Sequence, residues 1–513
     1  MSERNDKILS DLLAYNVKHR PNLTALLSAN GQQLNWAEYQ QQIESYAARL
    51  LSAGVNKGDV LCLAATPSLE CYLLLWACAR LGAVFAPVNL QFTNREIEAY
   101  LAPISKIRRL HLFADAHYQN IFAGILGELP RFSLAGATTE RCSALPEPAT
   151  SLDNAPYPTE EDGLYLIPTS GSTGSPKPVL LPHRAIVQLA RNVTERRNWQ
   201  TSDRFLSMSP LFHISGLGAV GSSAWMGSSL HAMTGFDPAT ALKRIEAESI
   251  TLLAAFDILL DRLVSLPEFS LEKIKTLRAV NFAGSPKFYD IIQSWGISDI
   301  ATAYALSEGT TVSLMPYDCS DPHLRQWSAG KIMPQVQVKI IDPDSKQILT
   351  DGQSGEICIK GDNLFLGYLG CDEATLAAFD DDLFFHTGDC GHLEGEYLFF
   401  EGRYKAMIKT GGENVSQLEV ENFLASHFPE CRQIAVIGTT DKEWGEVVCA
   451  CLELRPGETL DLQTLRSRCK GQLANFKIPK KLITMTPGSW PQLASNKLDK
   501  QALRDMIEQG VQP

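Results

Sequence analysis

Gly163-Leu164-Tyr165-Leu166-Ile167 is a short apolar run that opens through Pro168 into Thr169-Ser170-Gly171-Ser172-Thr173-Gly174-Ser175-Pro176-Lys177. The first half predicts a buried strand and the second a loop dense in hydroxyls. Gly171 and Gly174 let the backbone take unusual conformations and approach a ligand closely. Successive N–H groups can then form an anion-binding nest, with Ser170, Ser172 and Thr173 as further donors and Lys177 as the positive charge. The spacing is not G-x-x-x-x-G-K-[ST], because Lys177 follows Pro176 and no helix is expected to start at once. A plain surface turn fits the loop's composition. Its place after a buried strand, and its lysine, favour phosphate binding.

Upstream, residues 60–65 read as another buried strand, 68–81 as a helix stopped by Gly82, and 83–88 as a further strand. Strand, helix and strand at this spacing predict a right-handed crossover and a mostly parallel sheet. Residues 251–255 and 277–282 repeat the strand pattern. Residues 137–161, rich in Pro, Ala, Ser, Thr and Glu, predict a surface connection. From Gln335 the apolar residues alternate (Val336, Val338, Ile340) and 355–361 reads as another short strand, which predicts a β-rich subdomain. Beyond Arg403 the pattern is compact α+β: helix 418–427, strands 433–437 and 447–454, helix 462–473. The predicted fold class is α/β, a large N-terminal domain of mostly parallel sheets flanked by helices plus a β-rich subdomain, with a small α+β C-terminal domain. The domains are set at 1–403 and 404–513, with a hinge at 403–405.

A chain of 513 residues exceeds what one core can organise, so two or more domains are expected. Its net charge of -12, with no dense basic run, excludes a nonspecific nucleic-acid binder. The apolar run 72–79 is far shorter than the ~20 residues of a membrane span. The N-terminus lacks the unbroken apolar core of a signal peptide, so a cytoplasmic location is expected. The 12 cysteines are scattered with no C-x-x-C pair, and free thiols in a reducing compartment are expected. Cys449 and Cys451, the only close spacing, are read as facing opposite sides of a strand and sharing no metal. No coiled-coil pattern is seen, and a monomer or homodimer is expected.

Residues 165–177 resemble the signature of the acyl-adenylate-forming superfamily: acyl-CoA synthetases, adenylation domains of peptide synthetases, and luciferases. Further stretches resemble its motifs in family order, from Trp36 to Leu503. Pro210-Leu211-Phe212-His213-Ile214-Ser215-Gly216 resembles the acid-site motif. Ala283-Gly284-Ser285-Pro286 resembles the adenine-site turn, and Tyr304-Ala305-Leu306-Ser307-Glu308 the Tyr-Gly-x-Thr-Glu motif. His386-Thr387-Gly388-Asp389 resembles the ribose-binding motif. Gly402-Arg403-Tyr404-Lys405 through Gly411-Gly412-Glu413-Asn414-Val415 resembles the hinge and pantetheine-tunnel loop, and Ala494-Ser495-Asn496-Lys497 the C-terminal lysine motif.

The resemblance implies an ATP-dependent acid:CoA ligase of the acyl-CoA synthetase branch. A carboxylate attacks the α-phosphate of ATP, pyrophosphate leaves, and the acyl group passes to a thiol. ATP, Mg²⁺ and coenzyme A are the implied cofactors and co-substrates, with a carboxylic acid as the other partner. Thr169, Ser170, Gly171, Ser172, Thr173, Gly174 and Lys177 are assigned to the phosphates. Gly284, Ser285, Pro286, Tyr304, Ala305 and Ser307 are assigned to the nucleotide, Asp389 to the ribose hydroxyls, and Arg403 to ribose or phosphate. Glu308 and Thr173 are the implied Mg²⁺ ligands. Lys497 is the implied adenylation lysine, a donor whose removal typically costs ~3 kcal/mol or more in the transition state. Lys405 is the implied pivot of a mobile C-terminal domain, and Gly411 and Gly412 give passage to the pantetheine arm. His213 lines the implied acid pocket, although a histidine packed among apolar neighbours would look the same.

The chain departs from the family pattern at Pro178, Ala305, Ala406 and Asn496, and at Phe256-Asp257 where a Val-Pro pair is common. The Ala305 methyl is expected to trim the acids accepted. An alternative is a stand-alone enzyme loading a fatty or aryl acid onto a carrier protein's phosphopantetheine, chemically the same arm as that of CoA. An amino-acid-specific domain fits less well, and a non-catalytic protein on this fold is opposed by intact Lys177, Glu308, Asp389, Arg403 and Lys497.

Overall fold

The computed structural model describes residues 6–90, 92–115, 117–118, 131–134, 143–148, 151–169, 176–283, 286–404, 407–410, 413–492 and 498–510. Two large sheets form its body. In one, the strands Val60–Ala64, Val84–Pro87, Gly163–Thr169 and Leu110–Ala114 run parallel. In the other, Arg204–Ser207, Leu252–Phe256, Ala279–Ala283 and Asp299–Leu306 run parallel. The apolar runs 60–65, 83–88, 251–255 and 277–282 therefore sit where expected, the first two trimmed by a residue or two and the last two reaching one residue further, to Phe256 and Ala283.

Those runs are continuous because both faces of each strand are buried. Leu61 and Leu63 face the core shared by the two sheets, whereas Val60, Cys62 and Ala64 face the helix Asn94–Ser105 through Tyr100 and Leu101. Phe205, Leu252 and Ala279 likewise face the shared core, while Leu206, Leu253 and Val280 face the opposite side. The helices His183–Arg196 and Ile214–Met226 contribute Ile186, Ala190, Leu217 and Val220 to the shared core. The helix Leu69–Leu81 ends at Gly82, whose φ of 70° is the left-handed cap that only glycine takes freely.

The β-rich region at 336–361 is antiparallel, as its alternation predicts. It is not a separate sheet. Among the described residues it continues the second sheet, through Phe385–Glu394, Tyr397–Arg403, Lys331–Ile332 and Thr310–Leu314, to the antiparallel edge of Asp299–Leu306. The stretch 137–161 contains a short strand, Ser143–Ala144, pairing with Arg131–Ser133; part of it lies outside the described residues.

Residues beyond 407 form a third sheet with its own cores. The helix Gln417–His427 packs Val420 and Leu424 on one face, and Leu503, Met485 and Trp490 cover the other. The helix expected over 462–473 stops at Cys469, because Lys470 turns extended and Gly471 takes a φ of 80°. Cys449 and Cys451 do not diverge. They are two residues apart on the strand Gly445–Leu454, so both project to one side and share a single core. All described cysteines are free thiols.

Candidate functional site

The Ser/Thr/Gly loop joins two antiparallel strands, Gly163–Thr169 and Lys177–Pro182, whose ends pair Thr169 with Lys177. It leaves the carboxyl end of a parallel strand, where open α/β sheets place their ligands. The motif at 304–308 ends another parallel strand, and those at 210–216 and 283–286 follow the ends of two more. Parallel-strand topology thus gathers motifs that lie far apart in the chain. Ser170, Gly171, Ser172, Thr173, Gly174, Gly284, Ser285, Lys405, Gly411, Gly412 and Lys497 lie outside the described residues. Pro286 opens the helix Pro286–Ser294.

Asp389 is the most constrained member of the site. It lies on the strand Phe385–Glu394, opposite Arg403 on Tyr397–Arg403. Tyr304 donates its hydroxyl to Asp389 Oδ2 at 2.6 Å, and its ring stacks on Phe400 with centroids 5.5 Å apart. Arg403 Nε is 3.2 Å from Oδ1. It is not aligned to donate, and among the described residues buried Oδ1 receives no hydrogen bond. Burial raises the Asp389 carboxyl above the usual carboxylate range, against the lowering effects of Tyr304 and Arg403. Burial also drives the Tyr304 phenol well above its usual value, so it stays a donor.

The turn before Asp389 is built by Glu356. Its Oε1 accepts the Gly388 amide at 3.1 Å and its Oε2 meets His386 Nδ1 at 3.0 Å. Thr387 Oγ1 donates to the Ile357 carbonyl and accepts the Asp389 amide. Gly388 takes a φ of 69°, a conformation that favours glycine. Glu356, Cys358 and His386 have the donor types of a metal site, but their hydrogen bonds close on the turn itself.

Glu308 lies at the other end of the Tyr304 motif. It accepts the Tyr368 hydroxyl at 2.9 Å through Oε1. Burial raises its carboxyl above the usual range, while Tyr368 and the charge of Arg403 lower it. Lys177 Nζ sits 4.8 Å from the Tyr368 ring centroid. Lys177, Tyr368 and Glu308 form one group and Tyr304, Asp389, Arg403 and Phe400 a second, joined by the chain segment from Tyr304 to Glu308. Ser307 is half-buried and Ala305 exposed, beyond a strand irregularity between Tyr304 and Ala305.

His213 is the extended residue before the helix Ile214–Met226, and its carbonyl accepts the amides of Gly216 and Leu217. The preceding Leu211 carbonyl accepts the Tyr165 hydroxyl at 2.5 Å. The strand leading to the Ser/Thr/Gly loop is thus tied to the 210–216 motif. Sequence reading missed Tyr368, Phe400 and Glu356. Only Glu356 carries a local signal, a carboxylate set in the apolar strand Gly355–Gly361.

A hydroxyl-rich loop at a parallel-strand end, a buried aspartate with an unsatisfied oxygen and a partly buried glutamate define a nucleotide-using α/β enzyme. The chain belongs to the AMP-binding enzyme family, which it matches over residues 13–369, and residues 419–497 match the AMP-binding enzyme C-terminal domain. It is 28% identical to the putative acyl-CoA synthetase YngI of Bacillus subtilis, covering 92% of this chain and 91% of that one. It is also 28% identical to the mitochondrial medium-chain acyl-CoA ligase ACSF2 of Bos taurus, covering 93% and 83%. Among solved structures, ATP-bound MatB from Rhodopseudomonas palustris superposes with a TM-score of 0.85 at 25% identity over 98% of this chain and 99% of that one. A fatty acyl CoA synthetase of Mycobacterium tuberculosis gives 0.73 at 27% identity over 98% and 99%.

Proposed function

We infer that this chain is an AMP-forming acid:CoA ligase that adenylates a carboxylic acid and then transfers the acyl group to the thiol of CoA. The observation that carries the reading is Asp389. A buried carboxylate with one oxygen held by Tyr304 and the other beside Arg403 but without a hydrogen bond among the described residues fits a hydroxyl donor from a ribose, because a buried acceptor without a hydrogen bond is costly. Tyr304 and Phe400 offer an aromatic platform beside it. The phosphates would lie between the loop 170–175 and Lys177, with Arg403 reaching in from the other side.

The donor set at Glu308 fits Mg²⁺, a hard cation that takes one or two carboxylates and completes its shell with phosphate oxygens. When bound, the ion supplies charge neutralisation on the phosphates. Glu308 would hold it, with Thr173 as the second assigned ligand. Lys497 is assigned to bridge the acid and the α-phosphate. Lys405 is assigned as the pivot about which the 404–513 domain turns between the two half-reactions, and Gly411 and Gly412 as the passage of the pantetheine arm. His213 is assigned to the acid pocket. Among the described residues no helix is long and apolar enough to cross a membrane; a cytoplasmic location is part of the proposal.

The test is acid-dependent exchange of labelled pyrophosphate into ATP, over fatty, aryl and small polar acids. Medium-chain fatty acids come first, because ACSF2 is named for them. Exchange with at least one acid is expected, and none across the panel sinks the reading. Supplying CoA or a holo carrier protein to the charged enzyme then separates the ligase from carrier loading, and transfer to CoA is expected.

A further inference from the structure

We propose that Tyr368 is a positioning residue that keeps the Lys177 ammonium and the Glu308 carboxylate apart and each correctly placed, across the junction of the two large sheets. The inference rests on Lys177 and Glu308 being nucleotide-site residues. Lys177 opens a strand of one sheet and Glu308 sits in the turn joining two strands of the other, and residues 363–369 strap them together. On one side, Asn363 Nδ2 donates to the Gly309 carbonyl and the Phe365 amide to the Glu308 carbonyl at 2.8 Å. On the other, Leu366 and Leu369 donate to the Leu180 and Pro178 carbonyls, and Tyr368 pairs with Val179, two residues from Lys177.

The Tyr368 side chain completes the strap. It is buried, its amide is held by Thr375 Oγ1 at 2.9 Å, and Phe365 braces its ring edge-on at 5.0 Å. Phe365 in turn contacts Phe385, the first residue of the strand that carries Asp389. The hydroxyl therefore meets Glu308 Oε1, and the ring meets Lys177, in one fixed position.

The chemistry explains why a phenol suits this place. Lys177 and Glu308 carry opposite charges in neighbouring positions. A direct ion pair would consume the cation needed for phosphate and the anion needed for a metal. Tyr368 attracts each without neutralising either: its π-face attracts the ammonium and its O–H satisfies one carboxylate oxygen, leaving the other. Among the described residues Lys177 forms no ion pair, and Tyr368 is the side-chain donor to Glu308.

Calorimetric binding of ATP with and without Mg²⁺ tests this in the full-length chain. Y368F keeps the ring and loses the hydroxyl. It should weaken MgATP binding by about tenfold, as expected for one hydrogen bond to a charged group, and leave metal-free ATP binding unchanged. Y368L also loses the ring and should weaken metal-free ATP by a further factor of about three. In an E308Q background Y368F should add nothing, because its effect passes through Glu308. Wild-type MgATP affinity in Y368F would overturn the proposal, as would an equal loss of both forms of ATP that persists with E308Q. Pyrophosphate exchange by the wild-type enzyme, run alongside, keeps the two readings separate. Its absence strikes the ligase function, whereas exchange present with an indifferent Y368F strikes Tyr368 alone.

Discussion

Tyr304 and Asp389 are 85 residues apart in the chain and 2.6 Å apart at their hydroxyl and carboxylate oxygens. That bond fixes one oxygen of a buried carboxylate, while the other lies 3.2 Å from Arg403 Nε. Asp389→Asn keeps the shape but replaces an oxygen by an amide donor. KM for ATP in pyrophosphate exchange should rise by about 10- to 100-fold, the range for losing a hydrogen bond to a charged group, with a smaller change in kcat. An unchanged KM would remove Asp389 from the nucleotide site.

Glu356 acts one step further out. Both its oxygens are committed to the 386–388 turn. Glu356→Gln can still accept from Gly388 but loses its charged partner for His386. KM for ATP should rise by about threefold to tenfold, at the lower end of what supporting groups around a site contribute. The thermal midpoint should fall only slightly. Loss of folding without any change in KM among surviving molecules would make Glu356 purely a framework residue.

How much of this was legible in the sequence follows from what each feature depends on. Strands such as Val60–Ala64 were readable because burial on both faces leaves an unbroken apolar run. The flanks of the Ser/Thr/Gly loop were readable because its glycines and hydroxyls interrupt an apolar run that ends at Ile167. Tyr368 and Phe400 were not readable, because their meaning lies in partners such as Glu308, 60 residues away, and Tyr304, about a hundred away. Periodicity records which face is buried, not which strand becomes the neighbour. The continuation of the β-rich region into the main sheet was hidden for the same reason. The early end of the helix Leu462–Cys469 was local and visible at Gly471, and the shared face of Cys449 and Cys451 followed from strand geometry alone.

His183 gives the fold a pH dependence. Its ring is buried, its Nδ1 accepts the Leu9 amide at 3.2 Å, and burial lowers its pKa from 6.5 to about 4 despite nearby Asp162. Between those values the unfolded chain binds a proton that the folded chain excludes. Stability therefore rises with pH across the window and is lost as pH falls from 6.5 toward 4, by up to about 3 kcal/mol. Burial also lowers His111 and His231, which act in the same direction. His183→Gln can still accept the Leu9 amide and should flatten its share of the slope in denaturant unfolding between pH 7 and 4.5. Parallel slopes for the two proteins would contradict the assignment.

Ala305 tests the acid pocket. It is exposed near the end of the strand Asp299–Leu306, beside Tyr304, and the expectation is that its methyl trims the acids accepted. Ala305→Gly should widen the range of acids that support exchange toward bulkier ones, while KM for ATP stays within about twofold, as for a surface change that breaks no contact. An identical acid profile would show that this methyl sets no limit.

Gly216 carries the last prediction, because its constraint is steric rather than conformational. A Cβ there would lie 2.3 Å from the Pro210 carbonyl oxygen and 2.8 Å from its carbon. These are backbone atoms that cannot swing aside as a side chain could. Gly216→Ala must therefore push the 210–211 segment away from the helix Ile214–Met226. Leu211, whose carbonyl receives Tyr165, and His213 move with it. The fold should lose about 1–3 kcal/mol, the usual range for overpacking, read from thermal unfolding. KM for the acid should rise more than KM for ATP, since Lys177, Glu308 and Asp389 sit on other elements. A loss borne equally by both substrates would mean that 210–216 supports the whole site rather than its acid half.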